Sequence, residues 1–281
     1  MIIRRYNMIN DLLKGLSKLT TKSLEVTPDI LLLQFTIVSA CIVGEAREWV
    51  LVDTGLENSY NYILKSVDER FGEDSRPKAI ILTHGHFDHV GSIIKLADQW
   101  DVPVYSHELE LPYITGKKDY PEGDPSVDEG LVAKMSASFP HKSINLGYRA
   151  VALPSDGSLP GMSGWKWVHT PGHTEGHVSL FRESDKTLIV GDAFTTTKQE
   201  SFTSVLTQHE QVKGPPAYLT TDWDAAKKSV QVIKELKPKL AIPSHGLPMK
   251  DAELSKHLDM LTRDFNEIAV PDHGHFVDKQ S

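Results

Sequence analysis

AIILTHGHFDHVGS, residues 79–92, sets His84, His86, Asp88 and His89 within one short stretch directly behind an apolar run. The run KAIILT is apolar without alternation, the pattern of a strand covered on both faces. SIIKLADQW then restarts as a helix. His84 and His86 are alternate residues of an extended segment and share a face. Asp88 and His89 begin the helical turn, where the backbone changes direction and aims them at a second point about 3.5–4 Å away. Gly85 lets the chain pass close by without a side chain in the way. Imidazole and carboxylate together suit zinc and similar divalent ions.

Outward from this stretch, strands and helices come in two successive rounds without a linker. Residues 30–38 and 49–53 are β-rich and bounded by Gly44 and Gly55, so they read as paired strands and a turn. Residues 57–71 follow as a helix with Ile63, Leu64, Val67 and Phe71 on one face. VPVYS is the next strand. The second round holds strands at WKWVHT, HVSLFR and TLIVGD, then helices near 222–236 and 251–268. In the last of these, Leu254, Leu258, Leu261, Phe265 and Ile268 keep helical spacing. Between the rounds, residues 107–150 carry four prolines and no dominant period apart from a helix near 126–138. Such a Pro-rich insertion in a single domain spanning 1–281 is expected to serve as a lid or substrate loop. One internal echo supports two related halves: PKAIILTHG at 77–85 and PKLAIPSHG at 238–246 share Pro, Lys, His and Gly in register.

Further ligand-type residues stand where strands stop. HTPGHTEGH offers His169, His173 and His177, LIVGD ends in Asp192, and IPSH ends in His245. His173 lies in a turn between Gly172 and Gly176. His169, inside WKWVHT, reads as a core residue, and His177 at the head of HVSLF as a support rather than a ligand.

In this order H84-G-H86-F-D88-H89, G172-H173, G191-D192 and S244-H245-G246 resemble the metallo-β-lactamase superfamily, over nearly the whole chain from LVDTG at 51–55 to the last helix. The resemblance implies an α+β fold, a four-layer αββα sandwich of two mixed sheets flanked by helices. It implies one metal held by His84, His86 and His173, another by Asp88, His89 and His245, and Asp192 bridging them. The implied ions are two Zn²⁺, with Mn²⁺ or Fe²⁺ as alternatives. A water shared by two such cations loses a proton near neutral pH, giving a hydroxide nucleophile, and Asp88 is placed to accept its hydrogen bond and pass the proton on. Asp53, in VDTG, is placed like the family's aspartate that orients a ligand imidazole.

The expected activity is hydrolysis of a small-molecule ester, lactone, thioester or phosphodiester. The alternative from another class is a mononuclear iron-dependent oxidoreductase of the sulfur dioxygenase type. Zinc β-lactamases generally lack the bridging aspartate that Asp192 supplies, so antibiotic hydrolysis is not the expected task. Lactonases of the acyl-homoserine type often carry a tyrosine three residues past that aspartate, where this chain has Thr195. Thr195 and Lys198, with His209 nearby, are the candidate substrate contacts. His273 and His275 in the tail AVPDHGHFVD lie beyond a helix, and the flanking AV and FV suggest that the tail docks on the body.

Composition narrows the partners. A net charge of −8 gives no basic field for phosphate backbones, so no nucleic-acid partner is expected. Cys41 is the single cysteine, which excludes an intramolecular disulfide, and its apolar setting reads as a buried structural thiol. Arg4-Arg5 is followed by Asn10, Asp11, Lys14 and Lys18, which interrupt any export core. The apolar stretch ILLLQFTIVSACIV falls short of the ~18 residues of a membrane span. A cytoplasmic protein with a small-molecule substrate, no membrane partner and a homodimeric assembly is the expectation.

Overall fold

The computed structural model describes residues 21–197 and 212–277. Two compact units make up the chain. Unit 1 holds residues up to Tyr120 together with Pro140–Ser163, and unit 2 holds Pro121–Phe139 together with Gly164 onward. The Pro-rich stretch expected at 107–150 is therefore divided, with residues 121–139 in unit 2 and the rest in unit 1.

Unit 1 is a seven-stranded mixed sheet in sequential order. The antiparallel half comprises β1 (Lys22–Thr27), β2 (Ile30–Gln34), β3 (Ser39–Glu45) and β4 (Glu48–Val52). The parallel half adds β5 (Ile80–Ile81), β6 (Val104–Ser106) and β7 (Ala150–Ala152). Its helices are α1 (Tyr60–Phe71), α2 (Phe87–Val90), α3 (Ile93–Trp100) and α4 (Leu111–Ile114). The hydrophobic stripe of α1 faces the core through Ile63 and Val67, with Leu64 and Phe71 partly buried beside them. From α3, Ile93, Leu96, Ala97 and Trp100 enter the same core as Leu33, Trp49, Leu51 and Val104. Trp49 is fully buried, stacked on Phe71 at 5.2 Å and edge-on to Trp100 at 5.7 Å.

One sequence expectation is adjusted here, and one strand had no sequence signal. The stretch 30–38 is not one strand: β2 stops at Gln34 and the chain turns, with Phe35 N–H donating to Val38 O, before β3 starts. The strand β1, on the outer edge, has mostly exposed residues and shows no apolar alternation to read.

Unit 2 is a five-stranded mixed sheet in the order β12-β11-β10-β9-β8. The strands are β8 (Trp165–His169), β9 (Val178–Arg182), β10 (Thr187–Gly191), β11 (Leu240–Pro243) and β12 (Met249–Lys250). All pairs are antiparallel except β10 with β11. Its helices are α5 (Leu131–Met135), α6 (Trp223–Leu236), α7 (Asp251–Arg263) and α8 (Phe265–Ile268). Asp222 caps α6 by accepting from Ala225 N–H, which satisfies one of the orphan donors of a helix start. The apolar spacing over 251–268 is continuous, yet the helix breaks at Asp264; Leu254, Leu258, Leu261 and Phe265 still reach the core with Val230 and Ile233 of α6. The helix expected near 126–138 is confined to α5 and a following 3₁₀ turn.

The tail docks within unit 2. Val270 and Val277 pack on its core, and the His275 N–H donates to the Asp124 carboxylate. Burial alone would raise the Asp124 pKa, but donors from Ser126 and His275 outweigh it and hold the group below the usual carboxylate value.

The repeat seen in sequence has a structural counterpart inside each unit. In unit 1, β4 runs parallel to β5, the first leading into Asp53 and the second toward His84. In unit 2, β10 runs parallel to β11, the first leading into Asp192 and the second into His245. Among the described residues no helix is long and apolar enough to cross a membrane.

Candidate metal centre

In unit 1 β5 ends at Ile81, and Thr83, His84 and His86 follow before the short helix α2. His86 occupies its N-cap position, with ψ 154°, and Asp88 and His89 its first turns. His84, His86, Asp88 and His89 are all buried. His84 Nε2 lies 3.0 Å from His86 Nδ1. Two donors held by one cation at ~2.0–2.1 Å in tetrahedral geometry stand about 3.3 Å apart, so this pair has the spacing of a chelating pair.

The protons of this cluster can be placed by elimination. The Asp53 carboxylate accepts from Thr83 N–H at 2.8 Å, from the Thr83 hydroxyl at 2.8 Å and from His89 Nδ1 at 2.9 Å. Thr83 has one hydroxyl proton, and Asp53 takes it, so the 3.1 Å contact of Thr83 Oγ1 with His84 Nδ1 is donated by the imidazole. Both His84 and His89 therefore carry their proton on Nδ1 and present the Nε2 lone pair. His89 Nε2 lies 4.0 Å from Asp88 Oδ2. A buried ionised carboxylate is costly unless hydrogen-bonded, and the three donors meet that cost for Asp53.

Gly85 has a reason to be glycine that differs from the sequence reading. A Cβ there would come to 2.7 Å from the Tyr120 hydroxyl and 3.1 Å from Ile114 Cγ2. The Gly85 N–H donates to Glu110 Oε2 and to the Tyr120 oxygen, each at 3.0 Å, and the Tyr120 hydroxyl donates to Glu110 in turn. Burial first, and then the charge of Glu110, push the Tyr120 pKa well above the ordinary value, so the phenol keeps its proton. Its ring lies 4.5 Å from that of His86. Glu110, fully buried, and Tyr120 thus brace the backbone between the two histidines. No motif signals either residue, and they sit 25 and 35 positions away in sequence.

Unit 2 gathers His173, Asp192 and His245, all buried, around one oxygen. Asp192 Oδ2 is 3.3 Å from His173 Nε2 and 3.1 Å from His245 Nε2. The His173 ring is oriented from behind: Thr220 donates its only proton to Pro216 O at 2.8 Å, so its 3.1 Å contact with His173 Nδ1 is donated by the imidazole. His173 Nε2 then turns a lone pair toward a carboxylate oxygen. Two acceptors at that distance repel unless a proton or a cation lies between them, and about 3.3 Å is also the spacing of two ligands on one cation. The donor set fits a divalent metal.

His177 supports from below. Its Nε2 accepts the Asp192 N–H at 2.8 Å, which places the imidazole proton on Nδ1, 3.0 Å from Thr170 O. The turn before His173 needs glycine: Gly172 has φ 131°, and a Cβ there would meet Ala226 N at 2.3 Å, at the start of α6. Gly246, with φ 106°, lies equally close to Thr196, whose hydroxyl donates to Leu247 O and whose N–H donates to His245 O.

His169 is exposed, its Nε2 2.9 Å from Glu175 O, and so is not the core residue its strand position suggested. The reason is that β8 closes one edge of its sheet. Thr195 is buried and donates to Thr197 O at 2.9 Å. Lys198 and His209 lie outside the described residues. His273 and His275 are exposed in the docked tail. Cys41 is buried; burial first, and then the charge of Asp53, raise its pKa far above the ordinary thiol value, as expected of a structural thiol.

The family model of the metallo-beta-lactamase superfamily matches residues 33–245, which include every candidate ligand. The chain belongs to the metallo-β-lactamase superfamily. A "Probable metallo-hydrolase YflN" of Bacillus subtilis (strain 168) is 45% identical over 225 residues, covering 80% of this chain and 85% of that one. Among solved structures, a metallo-β-lactamase of Cronobacter sakazakii with a HARLDQ motif aligns with TM-score 0.61 at 14% identity, over 91% of this chain and 96% of that one. TTHA1623, solved in a di-iron-bound form, aligns with TM-score 0.55 at 24% identity, over 87% and 97%. These superfamily likenesses establish the expected α+β fold, with two mixed sheets and flanking helices. The superfamily binds divalent metals, and His and Asp groups of the required kind are present here.

Proposed function

We propose that this chain is a dinuclear metal-dependent hydrolase of a small ester, lactone, thioester or phosphodiester. His84, His86 and His173 would hold one cation and Asp88, His89 and His245 the other, with Asp192 available to both. The observation that carries the reading is the Asp192 carboxylate, whose Oδ2 meets two imidazole nitrogens at 3.1 and 3.3 Å, one of them a lone pair fixed by Thr220.

When bound, the two ions supply Lewis acidity toward a substrate oxygen and a water that ionises near neutral pH. The chain's own residues do the rest. Asp53 and Thr83 fix the tautomers of His89 and His84, so that ligand nitrogens are ready without rearrangement. His177 pins the Asp192 backbone. Asp88, buried beside His89, accepts the proton of the attacking water and returns one to the leaving group. Similarity to a probable metallo-hydrolase supports hydrolysis; the di-iron form of a structural neighbour makes iron an alternative to zinc and manganese.

The test is elemental analysis of the purified protein joined to a panel of activated esters, thioesters, lactones and phosphodiesters, with and without chelator. Two divalent cations per chain and chelator-sensitive turnover are expected, with Asp192→Ala losing both metal and rate. One iron per chain with oxygen uptake, or full activity in Asp192→Ala, would overturn the reading.

A further inference from the structure

Unit 1 contains a cleft of about 240 Å³ against the histidine-bearing segment. Gly85, Phe87 and Tyr120 form part of its wall, and the Tyr120 ring lies 4.5 Å from that of His86, a metal-ligand candidate that does not itself line the cleft. The volume is below the roughly 300–1,000 Å³ of a whole drug-sized ligand, which suits one arm of a substrate.

The wall is mixed: Leu56, Phe87, Val90, Ile94 and Ile144 give it an apolar side, beside polar residues that include His141. Ile94 is informative because α3 already buries Ile93, Leu96, Ala97 and Trp100 in the core, while Ile94 stays 46% exposed on the cleft side. A large aliphatic side chain held in water at the rim of a cavity gains by being covered by another apolar group. The charges beside it do not favour phosphate. Lys142 is paired with Asp119 at 2.8 Å, and Glu57 stands in the lining with the opposite sign. Among the described residues of the lining, Lys142 is the one Lys or Arg side chain, whereas sites for phosphoryl groups gather Arg, Lys or backbone amides.

We propose that this cleft is the subsite for the apolar acyl chain of the substrate, which narrows the reaction to carboxylic esters, thioesters or lactones with an aliphatic acyl part. The inference rests on the hydrolase reading above and sharpens it. Ile94 and Phe87 are then specificity-determining residues, and acyl length is read on the Gly85 side of the metal-binding segment.

The metal-loaded protein is assayed with p-nitrophenyl acetate, p-nitrophenyl hexanoate and bis(p-nitrophenyl) phosphate, in wild type and in Ile94→Asp. Because Ile94 is half exposed, this variant is expected to fold, which circular dichroism checks. The ratio of kcat/KM for hexanoate over acetate should exceed one in wild type and fall about tenfold in the variant, the size of effect that removing apolar contact in a pocket produces. An unchanged ratio, or a clear preference for the phosphodiester, overturns the acyl subsite while leaving a metal hydrolase standing. If wild type hydrolyses none of the three, the hydrolase reading has failed on this panel and binding decides the cleft. Calorimetric affinities of hexanoate and acetate share the carboxylate–metal contribution, so their ratio reports the cleft alone. Tighter hexanoate binding that Ile94→Asp abolishes supports the subsite, and equal affinities overturn it.

Discussion

Replacing Glu110 by alanine tests whether the segment between the two leading histidines is braced from behind. The carboxylate is fully buried and accepts from the Gly85 N–H at 3.0 Å and from the Tyr120 hydroxyl. Hydrogen bonds to a charged acceptor contribute about 1.5–3 kcal/mol each. Glu110→Ala removes the acceptor from two buried donors, although Gly85 N–H keeps its contact with the Tyr120 oxygen. The expected loss is therefore about 3–5 kcal/mol. For a protein of this size each kcal/mol moves the midpoint by roughly 2–4 °C, so the transition should fall on the order of 10 °C. Glu110→Gln can keep its amide oxygen as acceptor for both donors, which meet the same Oε2 of the carboxylate, while losing charge, so it should cost only about 1 kcal/mol. Thermal unfolding followed by circular dichroism gives the midpoints, and chelator competition on the folded variants gives metal affinity. Both should fall in the order wild type, glutamine, alanine. A Glu110→Ala protein melting within about 2 °C of wild type, less than 1 kcal/mol on this scale, would refute the bracing argument.

Asp53→Asn should weaken metal binding about 10–100-fold, because an amide beside His89 Nδ1 no longer guarantees the tautomer that presents Nε2; chelator competition measures it. His177→Ala removes the acceptor of the Asp192 N–H and should cost about 1–3 kcal/mol, read from urea denaturation, along with metal affinity. Cys41 should resist iodoacetamide at pH 8, where an ordinary thiol is partly ionised. Its raised pKa keeps the unreactive protonated form, and alkylation should begin only in denaturant, as mass spectrometry would detect.

Much of the arrangement within each unit was legible in the chain. Helices α1, α3, α6 and α7 announce themselves by apolar residues at helical spacing, since their stability comes from one buried face. The ligand-type residues are legible because short polar motifs interrupt apolar strands where strands end. The supports are illegible for the same reason that they work. Glu110, Tyr120 and Thr220 reach their targets across 25, 35 and 47 positions, and spacing patterns carry no information about such partners. Periodicity also failed where backbone geometry overrode it: the apolar stripe runs unbroken through Asp264, yet the helix does not. Edge strands such as β1 and β12 pair on one side only, so nothing forces an alternating pattern on them.

Unit 2 is assembled from a mid-chain segment and a distant C-terminal stretch, joined where the His275 N–H meets Asp124 and where Gly274 approaches Val127. On the ribosome, residues 121–139 emerge long before the partners that hold them exist. Unit 1 has all its strands in hand once β7 has left the exit tunnel, whereas those residues wait for Tyr218, whose carbonyl accepts the Asp124 N–H and whose ring packs edge-on to Phe139, and last for the tail. Polypeptides stalled before Tyr218 has emerged should leave that stretch open to protease while the first sheet is already formed.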